Sequence, residues 1–178
     1  MGFGFNLLFI FVLLPLTGIL LLLWAFTKKN IFGKTLGIIW IAIIAIGIVS
    51  GILQKLNAKI LLTKKDFYGQ YSIEKKYFPG KQSDWQYNTF RFEIKNNDSI
   101  YFYVTDKDKI ISTFSGTIST LKPYSSERLV ITMTKPTHHI LTSNPTIYRD
   151  TKGFYLVFNS PKYENVFFKK KQWTSTKK

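Results

Sequence analysis

Two uncharged apolar runs at the start of the chain constrain its fold more than any other feature. From Leu7 to Phe26 there are twenty residues without a charge, fifteen of them Leu, Ile, Phe or Val. At about 1.5 Å per residue, such a run makes a helix that crosses a hydrocarbon core of roughly 30 Å. At about −0.4 kcal/mol per strong apolar residue, insertion gains on the order of 6 kcal/mol before Pro15 and Gly18 subtract some. The second run, Leu36 to Leu53, is eighteen residues long, uncharged and rich in Ile. It includes Gly37, Gly47, Ser50 and Gly51, so it inserts more weakly. Between the two, Thr27–Thr35 is a short loop carrying Lys28, Lys29 and Lys34, the only charges before Lys55. The pattern predicts a transmembrane helical hairpin over residues 1–53, with spans at about 5–26 and 36–53.

A cleaved signal peptide fits less well. Met1–Asn6 holds no Lys or Arg, the apolar run exceeds the roughly 7–15 residues of a signal core, and Leu22–Phe26 offers no small-x-small site. By the positive-inside rule the three loop lysines lie in the cytoplasm, which puts both termini on the far side of the membrane. Lys55, Lys59, Lys64 and Lys65 follow the second helix and pull the other way, but long domains cross largely regardless of charge. Gly47 and Gly51 form a GxxxG pattern that either admits a second helix closely or packs the hairpin itself.

Residues 54–65 continue the helical period, with Leu53, Leu56 and Ile60 on one face and Lys55 and Lys59 four apart on another. The expectation is a basic amphipathic juxtamembrane segment. Lys55, Lys59, Lys64 and Lys65 would then meet anionic headgroups or simply snorkel at a helix end.

From Asp66 the period changes to two. Phe90, Phe92 and Ile94 alternate with Thr89, Arg91, Glu93 and Lys95, the mark of a strand with one wet face. Ile100–Val104, Leu129–Met133 and Phe154–Phe158 repeat it; Phe67–Ile73, Ile110–Ile118, Thr146–Arg149 and Asn165–Lys170 complete eight strands. Turn residues separate them at Asn96–Asp98, Asp106–Asp108, Lys122–Ser126, Asp150–Gly153 and Ser160–Lys162. Short strands with no helix expected between them predict an all-β domain over 66–173, an up-and-down meander barrel of about eight strands, with a two-sheet sandwich as the alternative. A basic tail, 174–178, follows.

Asp66-Phe67-Tyr68-Gly69-Gln70-Tyr71 resembles the Gly-x-Trp opening of lipocalins, with Tyr71 standing where that family has Trp. The meander over about 66–172 is similar to the small lipocalin-like domains of bacterial envelope proteins. The resemblance implies a barrel that binds an apolar ligand without catalysis. Combined with the hairpin, it implies a multi-pass protein of the bacterial inner (cytoplasmic) membrane, its barrel in the periplasm.

Composition narrows the chemistry. Aromatics reach 17% and Cys is absent, which excludes disorder, a disulfide scaffold, a thiolate zinc site and a cysteine nucleophile. No Walker loop, HExxH, GxSxG or dinucleotide fingerprint occurs. Ser72–Lys75 and Ser119–Lys122 match S-x-x-K at the rate chance gives. His138-His139 lies between Pro136 and Pro145 with no Asp, Glu or Cys close in sequence to complete a metal set. No metal, cofactor or catalytic residue is expected.

The aromatics are expected to fill the barrel rather than line a cavity. Trp85, in the polar stretch Gln82–Gln86, is expected on a loop at the barrel mouth. Tyr68, Tyr71, Trp85, His138 and His139 are therefore the candidate contacts for a ligand or partner. The net charge of +15 is spread along the chain without a nucleic-acid-binding motif. The expected partners are the lipid bilayer and an apolar small molecule or envelope protein, not nucleic acid. The function expected is a membrane-anchored, non-catalytic binding module, or alternatively an accessory subunit whose barrel is a docking platform.

Overall fold

The computed structural model describes residues 3–77, 81–122 and 124–174. Pro123 of the predicted Lys122–Ser126 turn and all of the basic tail except Thr174 lie outside the described residues. The chain divides into two compact units, Met1–Asn57 and Ala58–Lys178.

The first unit holds α1 (Phe3–Thr27) and α2 (Asn30–Leu56), each long and apolar enough to cross a membrane. Pro15 lacks an N–H and its ring crowds the carbonyl one turn back. The helix accommodates this by widening into a π-helical stretch, Phe9–Leu13, just ahead of it. Lys28 ends α1 in the left-handed region, φ 53°, its N–H donating to Trp24 O at 2.9 Å. The two helices form the expected hairpin. A Cβ on Gly33 would sit 3.0 Å from the Trp24 indole, so the absent side chain is what lets that ring lie on α2. Trp40, too deep for an interfacial belt, meets Phe9 edge-on at 6.3 Å instead.

The helical period stops at Leu56, not at residue 65. Residues 58–63 form a strap with neither helix nor ladder. Leu62 is buried and Ile60 packs against the barrel core, while Leu61 between them is exposed. This alternation of period two explains the departure: two apolar side chains two residues apart reach the core from an extended chain, whereas a helix would point them in different directions. Thr63 then caps a 3-10 turn, Lys64–Phe67, donating its N–H to Asp66 Oδ2 at 2.7 Å.

The second unit is an antiparallel meander of eight strands that nearly closes into a barrel. The strands are β1 (Gly69–Ile73), β2 (Phe90–Ile94), β3 (Ser99–Asp106), β4 (Lys109–Leu121), β5 (Arg128–Met133), β6 (Thr146–Arg149), β7 (Phe154–Ser160) and β8 (Glu164–Lys170). Their order, β5-β4-β3-β2-β1-β8-β7-β6, pairs the first strand with the last and leaves β5 and β6 as the two edges. The barrel expected from the alternation is thus formed, rather than the sandwich.

Register aligns the aromatics: Tyr71 lies opposite Phe92, Phe92 opposite Phe102, and Phe102 opposite Phe114. Tyr71 stacks on Phe92 with centroids 4.5 Å apart, and Phe168 meets Phe92 edge-on at 5.0 Å. Phe158 stands at 90° to Phe168 at 5.6 Å. Phe67, Phe92, Phe102, Phe158 and Phe168 are all fully buried, so the interior is packed with rings. Each such ring contributes about 1.5–3 kcal/mol by leaving water.

Two glycines are demanded by this frame. Gly69 opens β1 at φ 135°, a conformation L side chains rarely adopt. At Gly116 a Cβ would run into the Thr132 carbonyl of β5 and come within 2.9 Å of Met133 Cα.

A second element also departs from the sequence expectation. Residues Lys81–Thr89 form a helix, α3, between β1 and β2. Trp85 therefore sits on a helix and not on a loop.

Candidate functional site

The candidate contact residues do not converge. Tyr71 is core: its ring lies in the aromatic stack and its hydroxyl donates to Phe67 O at 2.8 Å. Burial drives its phenol far above the usual range, so it stays protonated as a donor. Tyr68 lies near the strap, where its hydroxyl donates to Asp98 Oδ1 at 2.8 Å while Lys64 Nζ holds Oδ2 at 2.6 Å. The Lys64 hydrogen bond, with that of Tyr68 behind it, holds the Asp98 carboxyl below the ordinary carboxylate range. Lys64 is thus tied to the β2–β3 turn rather than free for headgroups. Lys55 lies in the last turn of α2, where a cation suits the helix C-terminus; Lys59 and Lys65 are exposed. Gly47 and Gly51 have open space where a Cβ would be, so neither packs the hairpin.

Trp85 does not touch the histidines but shares neighbours with them at the other end of the barrel, Phe90 with His138 and Tyr163 with His139. Trp85 is edge-on to Phe90 at 5.4 Å and to Tyr163 at 5.3 Å. His138 is ringed by Phe102 at 4.9 Å and by Phe90 and Phe114 at 5.4 Å, and touches His139 at 4.2 Å. Its Nδ1 accepts from Ile140 N at 3.3 Å, which places any proton of the neutral ring on Nε2. Ser160 Oγ accepts from both Lys162 N and Tyr163 N at 3.2 Å, which occupies its two lone pairs. Its own proton then goes to His139 Nδ1, 2.9 Å away. Serine and histidine thus close the β7–β8 turn, and the cluster plugs that end.

Burial, then His139 and Lys162, push the His138 imidazole down from 6.5 to about 4. The unfolded chain therefore binds the proton first, and stability is lost as pH falls from 6.5 towards 4. A full-chain NMR titration is expected to find the His138 ring neutral at pH 5, and His138→Phe is expected to flatten the acid limb of the stability curve. A ring already charged at pH 6 contradicts the packing described.

One open feature is not marked in the sequence. A groove of about 780 Å³ lies along the seam where β5 and β6 fail to pair. The strap closes one end of it. Ile60 N donates to Asp150 O at 3.1 Å and Arg149 Nη1 to Ile60 O at 3.1 Å, on the β6 side. On the β5 side, Glu127 N donates to Leu62 O at 2.9 Å and Leu62 N to Ser126 Oγ at 3.1 Å. At the other end Ile131 N donates to the side-chain oxygen of Asn144 at 2.8 Å. Over the rim, the Arg128 guanidinium lies 3.6 Å from the Tyr124 ring centroid. On the outer face of β6, Tyr148 stacks on Tyr155 at 5.0 Å with rings 3° from parallel.

Nothing in the strand pattern marked the groove, because it arises from which strands are last in the spatial order. The signal available was length: β6 is four residues long against six in β5, so it cannot span that strand's whole edge. Among the described residues, no cluster of three or more His, Asp or Glu side chains is placed to hold a metal ion. Compared with family models, curated proteins and solved structures, the chain matches none.

Proposed function

We propose that the protein is a membrane-anchored, non-catalytic docking module: the hairpin holds it in the bilayer and the barrel receives a partner protein on its outer surface. The observation that carries this reading is the filled interior. A lipocalin-like carrier needs a hollow lined by its aromatics, whereas here Phe92, Phe102, Phe158 and Phe168 occupy that space. The non-catalytic part is supported by the histidines, whose Nδ1 atoms and serine neighbour are engaged in turn and plug contacts. Lys28, Lys29 and Lys34 support a cytoplasmic hairpin loop and a barrel in the periplasm of a bacterial inner membrane.

The test is the intact mass of the full chain, extracted from its native membrane in mild detergent. The expected result is a complex whose mass exceeds 20.7 kDa by that of a stoichiometric protein partner. A solitary chain carrying one tightly held apolar molecule overturns the reading in favour of the carrier.

A further inference from the structure

The seam also indicates what kind of partner surface fits. Along β5, Thr134 N donates to Ser115 O of β4 at 2.9 Å, whereas Ile131 N points the opposite way, to Asn144. Backbone groups alternate along a strand, so the Leu129 N–H and C=O face the groove as those of Ile131 do. Along β6, Asp150 N turns to Gly153 O at 2.8 Å on the β7 side, so Ile147 faces the groove from the opposite lip. Leu129, buried, and Ile147, half-buried, both line the groove.

Both ends of this seam are already closed by peptide-like groups of the chain itself. The strap offers backbone to both lips at one end, and the Asn144 amide takes the place of a strand carbonyl at the other. Only the middle is left open. We infer that the groove takes an extended peptide segment of a partner protein, which pairs with the Leu129 and Ile147 backbones and turns an apolar side chain inward between them. An acyl chain would lie in the same groove but leave those backbone groups dry and unpaired, which is costly; a strand satisfies them. With β6 four residues long, the segment is about four residues, roughly 13 Å. Tyr124 and Arg128 at the rim are of the types that most often carry binding energy at interfaces. The inference rests on the docking reading and names its contact surface.

The experiment uses the full chain in nanodiscs, selectively labelled at leucine and isoleucine amides, with hydrogen exchange read at Leu129 and Ile147. The probe is a capped hexapeptide of alternating threonine and valine; its twin carries N-methyl groups on every second nitrogen. At about 5 mM, where main-chain pairing of millimolar affinity saturates, the plain peptide is expected to slow exchange at both amides about fivefold. The methylated twin is expected to do nothing. Ile147→Pro, which removes a groove-facing donor at an edge strand that tolerates proline, is expected to abolish the effect at Leu129; if that variant does not fold, the twin alone decides. Equal protection by both peptides, or by neither, overturns the inference. Protection by palmitate alone assigns the groove to an apolar molecule, and protection that grows with protein concentration without a probe assigns it to a second copy; either overturns it too. Failure here beside a partner in the intact-mass measurement removes the groove and leaves the docking reading standing.

Discussion

Replacing Phe92 by alanine is expected to lower the stability of the barrel by about 3–5 kcal/mol. Phe92 stacks on Tyr71, and its edge contacts tie β2 to Phe158 of β7 and Phe168 of β8. Removing the ring takes away its transfer energy and leaves a hole that rigid neighbouring strands cannot collapse to fill. Against a total stability of about 5–15 kcal/mol, that loss brings the domain close to unfolding. Denaturant titration of the full chain in micelles, followed by tryptophan fluorescence, measures it. A dry apolar hole also accepts a small apolar guest, so benzene is expected to restore part of the loss in Phe92→Ala and leave the unaltered protein's midpoint where it was. An unaltered protein that benzene stabilises as much as the variant would mean that the interior is already hollow.

The second large effect is expected at the strap. Leu62→Ala should cost about 2–5 kcal/mol, because Leu62 is buried in the barrel core although it lies only six residues beyond the end of a membrane-type helix. Leu61→Ala, one residue away and exposed, should stay within about 0.5 kcal/mol. Were residues 58–63 a tether or a surface helix, the two substitutions would behave alike. Hydrogen exchange adds a local readout: Leu62→Ala is expected to speed exchange at Ile60 and Glu127, whose N–H groups stitch the strap to the two lips of the seam.

The strap also shows where sequence reading succeeds and where it fails. Phe90-x-Phe92-x-Ile94 and its counterparts announce strands because each buries one face, and alternation is what burial of one face requires. Four strands were legible for that reason and the other four from their place between turn signals, and the barrel followed from their number and short turns. Residues 54–65 misled because apolar positions at Leu53, Leu56 and Ile60 fit a helix, while the period-two pair Ile60 and Leu62 fits an extended chain. Two readings of one short run can be separated only by the core that Leu62 enters, and that core is built from residues far along the chain.

Helix α3 was illegible for a different reason. Its buried face is Ser83, Gln86 and Tyr87, so no hydrophobic period marks it. Trp85, the conspicuous aromatic of that stretch, lies outside this face and is half exposed. The site was the least legible part. Tyr68, Tyr71 and the histidines stand out by residue type, yet the structure spends them on turns, stacks and a plug. The groove is made from backbone edges at Leu129 and Ile147, whose availability depends on strand order and on no side-chain signature.

The measurement that tests the central claim most directly is an experimental structure of the full chain purified from its own membrane with no ligand added. The account predicts Phe92, Phe102, Phe158 and Phe168 in mutual contact across the barrel axis, with no further density among them. Rings splayed to the wall around an elongated apolar molecule would contradict it and make the barrel a carrier.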